Sequence, residues 1–180
     1  MVYMFLANGF EEVEALCPLD LLRRAGVEVT MVGINGAEHV QGSHGICVQT
    51  DIPDTMFRDS KPEMIILPGG MPGSKNLDES RIVDAALRAA SASGAYLAAI
   101  CAAPMVLGHR GYLKNKNAIC FPGFESELEG AVLSDKRVVR DGKVITAAGM
   151  GVALEFGLEL VAALKGQTVA DDLRRAVLAD

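Results

Sequence analysis

Residues 95–107 read AYLAAICAAPMVL, an apolar run of strand length, then a cysteine, then the start of a helix. Residues 95–100 predict a buried strand because the run is short, continuous and apolar. Pro104 lies at an early helical position, where its missing N–H costs no hydrogen bond. A strand that stops at Cys101 and passes at once into a helix over residues 102–107 is typical of a sheet whose faces are covered by helices.

Strands and helices alternate on both sides of this stretch. Further strands are predicted over residues 2–7, 27–33 and 64–67, and further helices over residues 11–25, 78–92 and 151–164. Residues 138–145, with Asp141-Gly142 at the centre, predict a hairpin. The alternation predicts an α/β fold with a mostly parallel sheet and helices on both faces. Because the composition shows no repeat and no linker, we expect one domain over residues 1–180.

Composition excludes several classes of function. The net charge of −6 argues against binding to nucleic acid or to an anionic membrane surface. The apolar runs fall short of the ~20 residues that a membrane helix needs, and the first residues lack the basic region of a signal peptide. We therefore expect a cytoplasmic protein whose partner is a small molecule or another protein. The four cysteines show no metal-ligand spacing, so neither a disulfide framework nor a metal site is predicted.

Cys101 is the first candidate catalytic residue. At a helix N-terminus, the partial positive charge of unpaired N–H groups favours a thiolate over a thiol, and the same groups bind oxyanions. The other interpretation is a small apolar residue packed against the sheet. The flanking alanines and Ile100 also differ from the G-x-S-x-G elbow of hydrolases. The local pattern leaves both interpretations open.

Two other positions are expected at the same edge of the sheet, because ligands of such folds bind outside the carboxyl ends of the strands. Gly70, in the Pro-Gly-Gly sequence at residues 68–70, would complete an oxyanion hole with Ala102, unless it is an ordinary loop glycine. Glu14 lies four residues before Pro18, which should kink or restart the helix because it has no N–H. Its carboxylate is a reasonable neighbour for a thiolate. Alternatively, it only complements the helix dipole.

Four motifs together resemble one known family. They are LANGFEEVE (6–14), LPGGMPGSKNL (67–77), AAICAAP (98–104) and TAAGMGVALEFGLELV (146–161). In this order and spacing the chain resembles, nearly from end to end, the ThiJ/PfpI superfamily in the branch of the parkinsonism-associated protein deglycase. The resemblance implies a flavodoxin-like three-layer sandwich, commonly a homodimer, whose chemistry needs no cofactor and no metal.

The resemblance also implies roles for single residues. Cys101 takes the place of the reactive cysteine, and Glu14 takes the place of a glutamate, expected to be protonated, that donates a hydrogen bond to the cysteine sulfur. The oxyanion-binding amides fall on Gly70 and Ala102. Ala102 also stands where the peptidase branch carries a histidine, which argues against proteolysis.

Other positions depart from the deglycase pattern. Phe121 and His44 stand where that branch often has a histidine and an arginine, and Cys120 adds a second thiol beside Phe121. A cysteine–histidine dyad is possible in principle, but no spacing brings His39, His44 or His109 to the reactive cysteine.

The resemblance predicts a Cys101-dependent glyoxalase or deglycase that acts on 2-oxoaldehydes such as methylglyoxal, or on glycated adducts. The alternatives are an oxidative-stress sensor that works through stepwise oxidation of Cys101 and a redox-regulated chaperone. A peptidase or an amidase comes last, because no motif supplies the histidine and acidic partner that an amidase needs.

Overall fold

The computed structural model describes residues 1–58 and 61–179. The strands are β1 (Val2–Leu6), β2 (Val29–Gly33), β3 (His39–Gln41), β4 (Cys47–Gln49), β5 (Ile52–Pro53), β6 (Met64–Leu67), β7 (Tyr96–Ile100), β8 (Asn117–Ala118), β9 (Val132–Leu133), β10 (Val138–Asp141) and β11 (Val144–Ala147). The helices are α1 (Glu12–Arg24), α2 (Gly73–Asp78), α3 (Arg81–Ser93), α4 (Pro104–Gly108), α5 (Ala153–Lys165) and α6 (Gln167–Ala176).

The central sheet has the strand order β10-β11-β7-β6-β1-β2-β5. All neighbours are parallel except β10, which pairs antiparallel with β11 and so confirms the predicted hairpin. Strand β1 has β2 on one side and β6 on the other, so the direction of chain crossing reverses there. A crevice opens outside the carboxyl ends of parallel strands at such a reversal, and it is where ligands bind.

Side chains of the central strands alternate between two cores. In β1, Met4 and Leu6 belong to one core, whereas Phe5 belongs to the other. Helices α1, α5 and α6 cover the first core, and α2, α3 and α4 cover the second. Helices on both faces of a mostly parallel sheet confirm the predicted flavodoxin-like α/β sandwich. The central strands are apolar throughout because both of their faces are buried. Within the described ranges, no helix combines the length and apolar character needed to cross a bilayer.

Helix α1 carries the acidic residues that reach the crevice. It runs from Glu12 to Arg24 without a break at Pro18, so of the predicted kink or restart there, the restart does not occur. Close packing against α5 holds it in place, because a Cβ atom added at Gly157 would lie 2.6 Å from Leu21 Cδ1 and 2.9 Å from Pro18 Cα. The side chain of Glu11 accepts the N–H of Glu14 and caps the first turn.

The predicted helix over residues 78–92 corresponds to α3, which begins three residues later than predicted. Asp78 ends α2, and α3 begins at Arg81 after Ser80, whose side chain accepts the N–H of Val83 at 3.3 Å. Serine favours this position because its hydroxyl replaces a missing backbone acceptor at the helix start.

Candidate active site

Cys101 occupies a sharp turn between β7 and α4. Its φ of 64° lies in the left-handed region, which residues with a side chain seldom adopt. Two backbone hydrogen bonds fix the turn, because the Cys101 N–H donates to the Ala147 carbonyl at 2.9 Å and the Cys101 carbonyl accepts from the Phe121 N–H at 2.8 Å. The backbone of Cys101 is therefore strained, and this conformation holds the side chain at the carboxyl end of β7. Strained backbone of this kind is common at functional sites.

Two backbone N–H groups donate hydrogen bonds to the sulfur of Cys101, those of Gly70 and Ala102. Gly70 has a φ of 88°, and a Cβ atom there would overlap the backbone of Gly9 and Phe10 at 2.7 Å. Only glycine therefore lets the loop after β6 approach the loop after β1 closely enough to turn its N–H toward the sulfur. The predicted oxyanion-binding pair does lie together, around Cys101.

Glu14 is the third group at the sulfur. Its side chain is 1% exposed and hydrogen-bonds with the Cys101 side chain. Its Oε2 accepts the buried N–H of Gly69 at 3.0 Å. Gly69 has no room for a side chain, because a Cβ atom there would lie 2.5 Å from Cys101 Cβ and would also overlap the Glu14 carboxylate. The helix after β1 and the loop after β6 thus place an acid against the thiol.

The two titrating groups share an environment that disfavours charge. Burial raises the pKa of the Glu14 carboxyl to about 7, despite its hydrogen bonds with Cys101 and Gly69. Beside a charged Glu14, burial and the carboxylate together raise the pKa of Cys101 to about 12, against the lowering effect of the two N–H donors. With Glu14 charged, burial therefore outweighs the two N–H groups, and since α4 begins only at Pro104, a helix terminus does not by itself lower the pKa of Cys101. Between about pH 7 and pH 12 the pair holds one proton.

The sequence profile of the DJ-1/PfpI family matches residues 1–163 of this chain. The chain belongs to the DJ-1/PfpI family. Protein dj-1beta of Drosophila melanogaster is 36% identical over 177 residues, which cover 97% of this chain and 95% of that protein. The glutathione-independent glyoxalase DJR-1.2 of Caenorhabditis elegans is 33% identical over 91% of this chain and 87% of its own. A structure of Toxoplasma gondii DJ-1, oxidized, superposes with a TM-score of 0.94 at 33% identity, over 98% of this chain and 97% of that one. The resemblance drawn from the four motifs is confirmed.

His44 of this DJ-1/PfpI chain bonds to Glu12 and not to the thiol. Its ring Nδ1 lies 2.9 Å from Glu12 Oε2, and its backbone N–H donates to Glu12 Oε1 at 2.7 Å. Burial alone would raise the pKa of Glu12, but these bonds, together with the N–H of Ile46, lower it to about 2. Glu12 therefore ties the β3–β4 hairpin to α1. Sequence analysis missed this role, since nothing local links residue 12 to residue 44.

His109 and Cys120 also lie apart from the candidate nucleophile. The two ring nitrogens of His109 each lie 2.9 Å from a carboxylate, one of Asp78 and one of Glu127. Although partial burial lowers the pKa of His109, these two carboxylates raise it overall. Cys120 is buried in the core beneath α3 and α4, whereas Cys101 packs on the core beneath α1. The two cysteine side chains therefore pack against different cores, although Phe121, next to Cys120 in the sequence, donates its N–H to the Cys101 carbonyl.

Proposed function

We propose that this protein is a cysteine-dependent enzyme that converts 2-oxoaldehydes such as methylglyoxal, or acts on their glycated adducts, with Cys101 as the nucleophile. The observation that carries the proposal is the buried contact between Glu14 and Cys101, with the N–H groups of Gly70 and Ala102 on the same sulfur. The glyoxalase name of the C. elegans relative agrees with this chemistry.

We place the shared proton of the pair on Glu14 when the enzyme is ready to react. The Cys101 sulfur receives two backbone N–H bonds, which stabilise an anion, whereas the Glu14 carboxylate receives one, from Gly69. A buried carboxyl group with few donors is more stable when it is neutral. A protonated Glu14 then donates its O–H to the thiolate, so the carboxylate charge that raises the pKa of the thiol is absent.

The reaction then uses only water and groups of this chain. The thiolate forms a C–S bond to the aldehyde carbon, and the carbonyl electron pair moves to the oxygen, which takes hydrogen bonds from the N–H groups and a proton from Glu14. The Glu14 carboxylate next removes the hydrogen on that carbon, whose electron pair forms a double bond to the ketone carbon, while the proton on the first oxygen passes to the ketone oxygen. Glu14 then returns its proton to the former ketone carbon, and the first oxygen regains its carbonyl bond, which gives a thioester of the 2-hydroxy acid. Water attacks the thioester, the C–S bond breaks, and the product acid and free Cys101 result.

The test is lactate formation from methylglyoxal without glutathione. We expect steady turnover by the wild-type protein, complete loss in Cys101→Ser, and unchanged turnover in the matched control Cys47→Ser, because Cys47 is an exposed thiol on β4. Absence of turnover in the wild-type protein, or turnover that survives Cys101→Ser, would contradict the proposal.

A second candidate function is oxidative-stress sensing at the same residue. One peroxide oxidises the thiolate to sulfenate with release of water, and a second peroxide gives sulfinate. The sulfinate oxygens would accept hydrogen bonds from protonated Glu14 and from the backbone N–H groups of the site, which favours this function. In this case mass spectrometry after mild peroxide should find sulfinate on Cys101 before oxidation of Cys47, with negligible aldehyde turnover. Equal oxidation of the two cysteines would exclude the sensor.

A further inference from the structure

Phe121 is an exposed aromatic side chain whose backbone is bound to the reactive residue. Its side chain is 47% exposed, while its N–H donates to the Cys101 carbonyl at 2.8 Å. A methyl group placed on Gly149 would lie 3.1 Å from Phe121 Cδ2 and 3.9 Å from Glu14 Oε1. The edge of the Phe121 ring therefore packs against Gly149, where a side chain would crowd it, and the Glu14 carboxylate lies on the same side of that glycine.

Two more exposed apolar side chains neighbour the site in the sequence. Met71, 47% exposed, directly follows Gly70, whose N–H binds the sulfur, and Met150, 53% exposed, directly follows Gly149. A single exposed apolar residue is normal on any protein. Here, however, three such residues belong to three loops that each contact the Glu14–Cys101 pair or border it. Exposed apolar side chains grouped around a reactive residue are typical of ligand sites.

We propose that Phe121 determines substrate specificity and that the site prefers 2-oxoaldehydes with a flat apolar substituent, such as phenylglyoxal. This inference rests on the proposed function. With the aldehyde carbon held at the Cys101 sulfur, the substituent has to extend away from the buried pair, past the Phe121 ring. An aromatic ring gains an offset or edge-to-face contact there, whereas a charged or sugar substituent loses water without gaining a hydrogen-bond partner.

The experiment compares kcat/KM for phenylglyoxal and for methylglyoxal in the wild-type protein and in Phe121→Ala. For each protein, kcat/KM for phenylglyoxal is divided by kcat/KM for methylglyoxal. Comparing this ratio between the wild-type protein and the variant removes the difference in intrinsic reactivity between the two aldehydes. We expect the preference for phenylglyoxal to fall by roughly twofold to twelvefold, the range set by one aromatic pair. Phe121→Tyr keeps the ring and should keep the ratio. Met56→Ala, which truncates an apolar side chain 62% exposed after β5, is the matched control and should also keep it.

Other readouts separate a failure of this inference from a failure of the proposed function. If methylglyoxal turnover depends on Cys101 but the ratio does not move in Phe121→Ala, the specificity role is wrong and the enzyme remains. If the wild-type protein consumes neither aldehyde, both proposals are wrong. Phe121→Leu, with nearly the same apolar bulk and no ring, guards against misfolding of the alanine variant, and an unchanged ratio there would also overturn the role of the ring.

Discussion

Replacing Glu14 with glutamine tests where the Glu14–Cys101 pair holds its proton. Glutamine has the same shape, is uncharged at every pH, and can still accept the N–H of Gly69 through its amide oxygen. The variant therefore removes one property, the ability of residue 14 to carry and release a proton, and leaves the packing of a side chain that is 1% exposed largely unchanged.

The expected size of the effect follows from the two pKa values. In the wild-type protein the pKa of Glu14 beside the neutral thiol is about 7. If the remaining proton instead stays on Glu14, the step that creates the thiolate has to occur at or below that pH, because the more favourable of two coupled ionisations sets the first step. In Glu14→Gln an amide N–H replaces a far more acidic O–H as donor to the sulfur, and a loss of about 1.4 kcal/mol raises the pKa by roughly one unit. The pKa of Cys101 should still stay below about 12, because the carboxylate that helps to raise it to that value is gone.

The assay is a pH titration of the ultraviolet absorbance of the thiolate. The absorbance of the other thiols is removed by subtraction. The spectrum of Cys101→Ser is subtracted from the wild-type spectrum, and the spectrum of the double variant Glu14→Gln/Cys101→Ser is subtracted from that of Glu14→Gln. We expect the thiolate to appear at or below about pH 7 in the wild-type protein and at least about one unit higher in the variant. If the wild-type thiolate appeared only near pH 12, or the variant titrated at or below the wild-type pH, the proton would reside on the sulfur and our assignment would be refuted.

Two further substitutions test other parts of the structure. Gly69→Ala should lower the free energy of unfolding in urea by about 1–3 kcal/mol, because its methyl group would overlap the Glu14 carboxylate; Gly151→Ala, with no atom within 4 Å, should change it little. The pKa of His109 is raised in the folded state, so its ion pairs contribute stability fully below the unfolded value of 6.5 and lose it as the pH rises through the folded value. His109→Gln should therefore destabilise the protein more at about pH 5 than at about pH 9, and an equal loss at both would show that charge is not involved.

Much of the fold follows from short-range sequence patterns. Strands β6 and β7 are short, continuous apolar runs between turn residues, a pattern that predicts strands buried on both faces of a sheet. The placement of Cys101, Gly70 and Glu14 at one edge then follows from topology alone, because parallel strands end on the same side of a sheet. Family motifs added the roles of these residues, but the geometry of the sheet explains why residues so far apart in sequence can meet.

What could not be predicted depends on contacts between distant loops. The left-handed backbone of Cys101 is held by the Ala147 carbonyl and the Phe121 N–H, and neither is visible in the local pattern. A helix N-terminus also accounts for only part of the surroundings of Cys101. The sulfur has only one of its N–H donors in the turn that precedes α4, and the other comes from Gly70 after β6. Specific donors and burial, not the dipole of a five-residue helix, determine how this thiol titrates.

The first turn of α1 shows how environment separates chemically identical side chains. From sequence, Glu11, Glu12 and Glu14 are three acids at a helix start and would all complement the dipole. In the structure, N–H donors from the β3–β4 hairpin surround Glu12 and hold its pKa near 2, whereas Glu14 has one N–H donor and a buried thiol beside it, and its pKa is about 7. A carboxyl group with a low pKa stays charged near neutral pH, whereas one with a pKa near 7 can gain and lose a proton there. Glu12 therefore stays charged and anchors the hairpin, and Glu14, two residues later on the same helix, is the carboxyl that contacts Cys101 and, in the proposed function, exchanges a proton with it.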